Sequence, residues 1–284
     1  MKELPSPTQP LLNLLDLRSK HSDRSPNALS LAAPAAKDQH GLEVCWARHL
    51  DDVREAQRLR HAVFVQEMGA RPQPLRHTPA GHDEDEFDAY CEHLLVRTQP
   101  GPLGPGQVIG TYRVLTPGAA RRAGGYYSDK EFDLSSLRPC RERMAELGRS
   151  CVHADHRSGG VILALWGALA TFMHDNGLDT MVGCASVGMR DGGHQAASLW
   201  ARLQPTHLVE PSLQCPPRLA LPVDDLDQSL PIEAPALIKG YLRCGARLLG
   251  APAWDPDFNC ADLPMLMRLG DLPERYRRHF LAHR

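Results

Sequence analysis

Apolar residues recur at helical spacing in three segments of the chain, and shorter apolar runs lie between them. The helical stripes predict helices over residues 51–69, 161–176 and 236–244. The shorter runs predict strands over residues 42–47, 91–97, 107–115, 144–152, 179–186 and 261–269. Pro264 interrupts the last strand, which predicts an edge or a bulge there, because proline cannot donate to a ladder. Strands interleaved with helices, without perfect alternation, indicate a mixed central sheet in one α/β domain.

Two stretches lack such periodicity. Residues 1–40 are rich in Pro, Ser and Ala, which predicts a mostly disordered leader. Residues 204–235 are Pro-rich and predict a long excursion from a domain that spans residues 41–284.

Composition limits the class of protein. The 284 residues suit one large domain or two small ones, and 42% hydrophobic residues are enough for a core. The net charge of −2 gives no global basic field, so nucleic acid is not expected as a partner. Eight cysteines without a C-x-x-C pair exclude the usual zinc and redox spacings, so no metal is expected and a reducing cytoplasm is favoured. No apolar run is long enough to span a bilayer, so any membrane contact is expected to be peripheral.

The segment 143–160 carries the most informative pattern for chemistry. A strand that contains Glu146 and Arg149 leads into a basic turn with two glycines, and an apolar helix follows at once. A strand, a loop of free backbone N–H groups and a helix N-terminus together suit a phosphate-bearing ligand. A carboxylate on that strand could act as a base beside such a ligand.

Glu146 and Arg149 are three residues apart and would face opposite sides of a regular strand. Gly148 lies between them, and a glycine inside a strand often marks a bulge, which would turn both side chains toward one cleft. The alternative is that Glu146 pairs with a neighbouring arginine such as Arg113. For an isolated E-x-x-R spacing, that pairing is the favoured interpretation.

A guanidinium on an apolar stripe is unusual, since a buried one needs a partner. Arg60 lies on the stripe of the first helix, one turn before Phe64. Its side chain could extend to solvent at the helix edge or point into a cleft, and the sequence favours neither. An acidic loop over residues 82–90 follows, and its two aromatic residues, Phe87 and Tyr90, indicate that it packs against the fold.

Segments along most of the chain carry a family resemblance. They are LRHAVFVQEMGA (59–70), EFDAYCEHLLV (86–96), VIGTYRVL (108–115), YYSDKEFDL (126–134), ELGRSCVHADHR (146–157), LWGALATF (165–172), GCAS (183–186), LIKGYLRCGARLLGAPAWDPDFN (237–259) and DLPMLMRL (262–269). Together they resemble the bacterial ornithine N-acyltransferases of the GCN5-related N-acetyltransferase superfamily, which are related to acyl-homoserine-lactone synthases and N-acyl amino acid synthases. The resemblance covers about residues 42–269. It implies a single domain of that fold, an α/β structure with a splayed mixed β-sheet flanked by helices, in which pantetheine lies between two parting strands, 144–152 and 179–186.

The family implies transfer of a 3-hydroxyacyl group from acyl carrier protein to the α-amine of L-ornithine, which gives lyso-ornithine lipid. It implies no tightly bound cofactor, because the acyl-phosphopantetheine of the carrier is a co-substrate. The expected location is the cytoplasm, with peripheral contact to the inner membrane conceivable. The alternatives are an N-acyl amino acid synthase with another amine acceptor, and a catalytically silent relative that binds acyl carrier protein.

The resemblance also implies site residues. By the acyl-homoserine-lactone synthase pattern, seven match the acyl-acceptor cleft: Arg60, Phe64, Asp85, Asp88, Arg113, Glu146 and Arg149. Glu146 is expected as general base, with Arg149 as its catalytic companion. Arg60 or Arg113 would bind the ornithine carboxylate, and Asp85 or Asp88 would bind its distal ammonium or else pair with the arginines.

The residues expected at the phosphopantetheine arm are Cys151, Val152, Arg157, Ser158, Gly159 and Gly160. Backbone N–H groups near the first two could stabilise the thioester oxyanion. The turn departs from the superfamily pattern R/Q-x-x-G-x-G/A because its glycines are adjacent, which suits a donor with a single phosphodiester. A covalent route through Cys151 is the less favoured alternative.

Overall fold

The computed structural model describes residues 36–37, 41–101 and 106–281. The predicted leader, residues 1–40, lies outside the described residues apart from Ala36–Lys37. Nine strands of the described chain form one mixed sheet. They are β1 (Ala36–Lys37), β2 (Glu43–Trp46), β3 (Glu92–Arg97), β4 (Val108–Leu115), β5 (Met144–Val152), β6 (Thr180–Gly188), β7 (Arg247–Leu248), β8 (Ala253–Asp255) and β9 (Cys260–Arg268). The spatial order is β1-β2-β3-β4-β5-β6-β9-β7, and β8 also pairs with β9.

Six α-helices of the described chain accompany the sheet. They are α1 (Leu50–Arg60), α2 (Pro117–Ala123), α3 (Gly160–Asp175), α4 (His194–His207), α5 (Ala236–Arg243) and α6 (Glu274–Leu281). The predicted helix over 51–69 consists of α1 and, directly after it, a π-helical segment, His61–Glu67. Within the described residues, no helix combines the length and the apolar character that crossing a bilayer requires.

Three helices were not predicted, and α2 shows why. It has common signals at both ends: the Thr116 side chain accepts a hydrogen bond from the Ala119 backbone N–H, Pro117 is its first residue, and Gly124 with φ 88° follows it. At seven residues, however, it is too short to show a periodic stripe. Between α4 and α5, residues 208–235 contain two short 3-10 turns, Pro211–Leu213 and Val223–Asp225.

Helices α1 and α3 cover opposite faces of the sheet. Alternate residues of a strand point to opposite faces, and on β3 Leu94 and Val96 pack in the cluster that contains α3. Leu95 packs in the cluster that contains α1. Burial on both faces explains why β3 and β4 are apolar without strict alternation.

Strands β5 and β6 are neighbours for only part of their length. They pair in parallel from Met144 and Thr180 to Glu146 and Val182, and beyond this point both continue without pairing. Gly183 lies where they part, and a Cβ atom there would come 2.3 Å from the carbonyl oxygen of Leu147. The predicted splayed sheet is therefore confirmed, and its gap opens a cleft.

Pro264 does not lie on an edge strand, contrary to the prediction. Strand β9 pairs with β6 along its whole length and with β8 and β7 on its other side. The Pro264 carbonyl accepts from the Leu249 backbone N–H at 2.8 Å. The proline nitrogen faces the same side, between the β8 ladder, which stops at Asp262, and the β7 ladder, which starts at Met265. The backbone N–H group that proline lacks would therefore point into the gap between the β8 and β7 ladders.

Candidate active site

The gap between β5 and β6 opens into a cavity of about 630 Å³. Eight of the predicted site residues line it: Phe64, Arg113, Glu146, Arg149, Cys151, Val152, Arg157 and Gly159. Five do not: Arg60, Asp85, Asp88, Ser158 and Gly160. The cavity contains a polar wall around Glu146, an apolar end and the turn before α3.

The carboxylate of Glu146 is buried in the polar wall and held by three donors. The backbone N–H groups of Tyr127 and Ser128 donate to it at 2.6 and 2.7 Å, and the Ser128 hydroxyl donates as well. These residues begin the 3-10 turn Tyr127–Lys130, which presents its N–H groups to the carboxylate. Burial raises the pKa of Glu146, although the hydrogen bonds from Ser128 and Tyr127 act in the opposite direction. The result is an oriented carboxylate that accepts a proton more readily than a solvated one.

A β-bulge turns Arg149 toward the same cavity as Glu146. Two residues of β5, Arg149 and Ser150, share the interval opposite Tyr112 of β4. Arg149 itself adopts φ 50°, in the left-handed region, one position after Gly148, where the bulge was expected. Gly148 lines the cavity, and a Cβ atom there would meet no atom within 4 Å.

Arg60, Asp85 and Asp88 belong to a buried ion-pair network. Arg60 is 1% exposed and pairs with Asp83 and Asp88 at 2.8 and 2.6 Å, so its guanidinium lies neither in solvent nor in the cleft. Arg113 pairs with Asp85 and Asp88 at 2.6 and 2.9 Å. Burial would raise the pKa of Asp88, but the guanidinium groups of Arg60 and Arg113 hold it well below its usual range. The proposed pairing of Glu146 with Arg113 is absent from these contacts.

Two guanidinium groups extend from this network to the cavity. Arg149 donates from Nη2 to Asp85 at 2.9 Å and lies over the rings of Tyr127 and Phe258, 5.1 and 4.4 Å from their centroids. Nη1 of Arg113 donates to both Asp85 and Asp88. No described residue accepts a hydrogen bond from Nη1 of Arg149 or Nη2 of Arg113. These nitrogens are therefore available to an anionic group in the cavity.

The turn after β5 forms another part of the cavity wall. Gly159, with φ 102°, precedes α3, and no side chain caps the N-terminus of that helix. The first N–H groups of α3 are therefore not taken by a capping side chain, as a phosphate site requires. Arg157, beside them, is held by Glu67 through two hydrogen bonds of 2.5 and 2.7 Å.

Cys151 is poorly suited to covalent catalysis. It lines the cavity, and burial raises its pKa to about 12. The thiolate, which is the nucleophilic form, is therefore scarce near neutral pH. This favours direct attack over a covalent acyl-thiolate route.

The far end of the cavity is apolar. Its side chains include Ile162, Trp166, Met181, Leu237, Met265 and Met267. The hydroxyl groups of Tyr112 and Tyr241 form a hydrogen bond with each other within this wall. A smaller cavity that shares Tyr112, Trp166 and Tyr241 extends to Phe280. This end has the apolar character that an acyl chain needs.

Sequence reasoning missed three carboxylates that line the cavity. Glu131 follows the 3-10 turn, Asp255 ends β8, and Asp262 lies on β9. Burial raises the pKa of Glu131 to about 9 and that of Asp262 to about 6. Asp262 is a lone carboxylate in the apolar run ADLPMLMRL, and that contrast could have identified it. Glu131 carries no comparable signal, because only the tertiary fold brings it to the cavity.

Comparisons with known proteins place the chain in a family. Residues 59–167 match the acetyltransferase (GNAT) domain family. The L-ornithine N(alpha)-acyltransferase of Rhodobacter capsulatus is 35% identical over 246 residues, which cover 84% of this chain and 94% of that protein. The enzyme of the same name from Rhizobium meliloti is 33% identical over 270 residues, 89% and 90% of the two chains.

The crystal structure of the AHL synthase LasI superposes with a TM-score of 0.50 at 16% identity, over 85% of this chain and 95% of LasI. This shows a shared fold, and the expected GCN5-related N-acetyltransferase architecture is confirmed. By its identity to these enzymes and the length that is matched, the chain belongs to the L-ornithine N(alpha)-acyltransferase family of acyltransferases.

Proposed function

We propose that this protein transfers a 3-hydroxyacyl group from acyl carrier protein to the α-amine of L-ornithine. The observation that carries the proposal is the cavity between β5 and β6, which a buried carboxylate, two arginines and a set of apolar side chains line together. Membership of the family supports ornithine as the acceptor.

Glu146 acts as the base. The α-ammonium must lose a proton before it can attack, and a carboxylate takes that proton directly or through a water molecule. Oε1 of Glu146 accepts from both donors of Ser128, whereas Oε2 accepts only from the Tyr127 N–H, so Oε2 keeps a lone pair for the proton. The freed amine attacks the thioester carbon and forms the C–N bond. The C–S bond then breaks, the nitrogen passes its second proton to the pantetheine sulfur, which leaves as the thiol, and Glu146 releases the first proton to solvent.

Arg113 and Arg149 bind the α-carboxylate of the acceptor. In each side chain one terminal nitrogen forms no ion pair, and the ion pair with Asp85 holds each guanidinium group in place. Because the α-amine and the α-carboxylate share one carbon atom, fixing the carboxylate beside Glu146 also orients the amine. Positioning of this kind lowers the entropic part of the barrier.

The donor occupies the rest of the cavity. The uncapped start of α3 suits the phosphodiester of a phosphopantetheine arm, and Arg157, which pairs with Glu67, lies beside it. The hydroxyl groups of Tyr112 and Tyr241, with Ser150 beside them, give a 3-hydroxyl group on the acyl chain polar partners. An acyl chain without a 3-hydroxyl group would form no hydrogen bond with these hydroxyl groups.

The test is an assay of thiol release with purified protein, 3-hydroxyacyl carrier protein and a panel of amino acids. Glu146→Gln is expected to lower kcat by roughly 10²–10⁴-fold without unfolding the protein. Glu142→Gln, which changes an exposed carboxylate four residues earlier, is the matched control. Near-normal turnover of Glu146→Gln with an unchanged pH profile would remove Glu146 from the mechanism.

The same assay separates the alternatives. Efficient acylation of another amino acid in place of ornithine would identify an N-acyl amino acid synthase. Binding of the acyl carrier without thiol release for any acceptor would identify a silent relative.

A further inference from the structure

Three carboxylates in the polar wall have no cationic partner. Glu131, Asp255 and Asp262 all line the cavity, and none forms an ion pair with a described residue. Asp262 is 4% exposed, and its hydrogen-bond donors are neutral: the Cys260 thiol at 3.5 Å and the Ser186 side chain. Ionising a buried carboxylate without a counter-ion is costly, so the arrangement points to a ligand that brings the positive charge.

The three carboxylates are not equivalent. Asp255 accepts from the backbone N–H groups of Asp257 and Phe258 at 2.9 and 3.1 Å, so its carboxylate already holds the turn between β8 and β9. Glu131 accepts only from the Cys184 thiol, at 3.4 Å, on Oε2. Glu131 and Asp262 are therefore the members that hold no backbone N–H group in a turn, and Asp255, which uses Oδ1 for its turn, adds negative potential beside them.

A short series of contacts connects Glu131 to the base. The Ser128 hydroxyl donates to Glu146 and lies 3.6 Å from the Cys184 thiol, which donates to Glu131. Ornithine separates its two amines by a short aliphatic chain. An α-amine at Glu146 can therefore direct the distal ammonium along this wall toward Glu131.

Apart from Glu146, the other acidic residues near the cavity are already neutralised. Asp85 pairs with Arg113 and Arg149, and Asp88 pairs with Arg60 and Arg113. The expectation that Asp85 or Asp88 binds the distal ammonium therefore has less support than its alternative, in which these residues pair with the arginines.

We propose that Glu131 and Asp262, assisted by the field of Asp255, bind the distal ammonium of the acceptor and set the preference for a diamino acid. The proposal rests on the proposed function and names the part of the site that recognises the acceptor side chain. Burial, together with repulsion from neighbouring carboxylates, raises the pKa values of Glu131 and Asp262, and an incoming ammonium would offset the cost of their negative charge. A neutral acceptor would not, and this difference is the source of selectivity.

The experiment compares ornithine with norvaline, which has the same carbon chain without the distal amine. In Glu131→Gln and in Asp262→Asn, kcat/KM for ornithine is expected to fall by roughly 10- to 100-fold, the worth of a hydrogen bond to a charged group. For norvaline it is expected to stay level or to rise. Asp257→Asn, which removes an exposed charge beside Asp255, is the control and should change neither value.

Equal losses for ornithine and norvaline would assign Glu131 and Asp262 to structure and overturn the proposal. If the wild-type protein does not acylate ornithine at all, the proposed function itself fails, so the two failures are distinguishable. Should a variant not fold, thermal denaturation of the wild-type protein provides a second measurement. Ornithine is expected to raise the Tm more than norvaline at equal concentration, and equal shifts would contradict the proposal.

A metal ion is the competing occupant. Asp255, Cys260 and Asp262 offer ligand atoms within 4.8 Å of one another, close enough to hold one. Activity that is lost in a chelator and restored by a divalent cation would overturn the ammonium assignment. Full activity toward ornithine in the chelator, with selectivity intact, would support it.

Discussion

At the scale of single residues, the buried charges around the cavity form two sets with opposite consequences. In the first set, every carboxylate has a guanidinium partner, as Asp88 has in Arg60 and Arg113. In the second set, which contains Glu131 and Asp262, the carboxylates form no ion pair with a described residue. Removing a carboxylate of the first set leaves a buried guanidinium without its counter-ion. Removing a carboxylate of the second set relieves the repulsion between carboxylates.

Asp88→Asn tests the first set. The substitution leaves Arg60 and Arg113 short of a counter-ion, so the free energy of unfolding is expected to fall by about 3–5 kcal/mol. Thermal and denaturant unfolding measure this loss. Glu86→Gln, in the same loop but exposed, is the control and should change the Tm little. An unchanged Tm with a selective loss of ornithine turnover would instead return Asp88 to the acceptor site.

Glu131→Gln tests the second set through the pH dependence of stability. Burial, with repulsion from Asp262 and Asp255, raises the pKa of Glu131 from its ordinary value of 4.5 to about 9 in the folded protein. Below 4.5 both the folded and the unfolded states hold the proton, so the group costs nothing. Between the two values only the unfolded state ionises, so this group destabilises the fold increasingly as the pH rises toward 9.

Glutamine does not ionise, so the Tm advantage of Glu131→Gln over the wild-type protein should be small near about pH 5 and larger near about pH 8. The exposed Glu210→Gln is the matched control. A Tm difference that is constant across this range, or that shrinks as the pH rises, would contradict a raised pKa at Glu131.

Local sequence patterns identified the residues of β5 but not their partners. Glu146 and Arg149 stand out because charged residues interrupt a strand next to a glycine-containing turn. Ser128 and Tyr127, which hold the Glu146 carboxylate, lie 18 and 19 residues earlier and meet it only in the folded chain. Arg60 was ambiguous for the same reason, since its partner Asp88 is 28 residues away. Partner choice depends on tertiary packing, which spacing does not encode.

At the scale of elements, long apolar runs were predicted well and local irregularities were not. The bounds of β5 match the prediction, and α3 begins and ends within one residue of it. The π-helical segment after Arg60 was missed because its apolar stripe resembles that of an ordinary helix. This segment nevertheless contributes Phe64 and Glu67 to the cavity. Irregular winding of this kind is common at functional sites.

Gly183→Ala tests the point at which β5 and β6 part. An added Cβ atom would lie 2.3 Å from the Leu147 carbonyl oxygen, so the strands must shift apart. We expect a loss of roughly 1–3 kcal/mol in the free energy of unfolding, as for other overpacked sites, and a lower kcat. Gly188→Ala, at the end of the same strand where a Cβ atom would meet nothing, is the control. If both variants match the wild-type protein in the free energy of unfolding and in kcat, the close contact at Gly183 does not determine where β5 and β6 separate.

At the scale of the whole molecule, the splayed sheet arranges one cavity with chemically distinct parts. Strands β5 and β6 begin as neighbours and then part, and β5 leads into the turn before α3. The apolar end lies against α3 and α5, and the acidic residues come from β8, β9 and the segment after the Tyr127–Lys130 turn. The proposed donor and acceptor would therefore enter a common space from different elements, with Glu146 between them.

The ends of the two splayed strands carry arginines that suit an acidic carrier. Arg157 follows β5 and Arg190 follows β6, and both contact Glu67, through its side chain and its backbone carbonyl respectively. Arg157→Glu and Arg190→Glu are each expected to raise the KM for the acyl carrier by roughly tenfold at low salt and to weaken its salt dependence, because an attractive charge pair becomes repulsive. The KM for ornithine should stay level, and Arg54→Glu, a charge reversal on α1 outside the cavity lining, should change neither value.

Initial rates at low and high ionic strength, with carrier-bound and CoA-bound donors, measure these effects. If acyl-CoA serves as well as the carrier and both reversals leave the rates unchanged, the assignment of a carrier-protein donor is wrong.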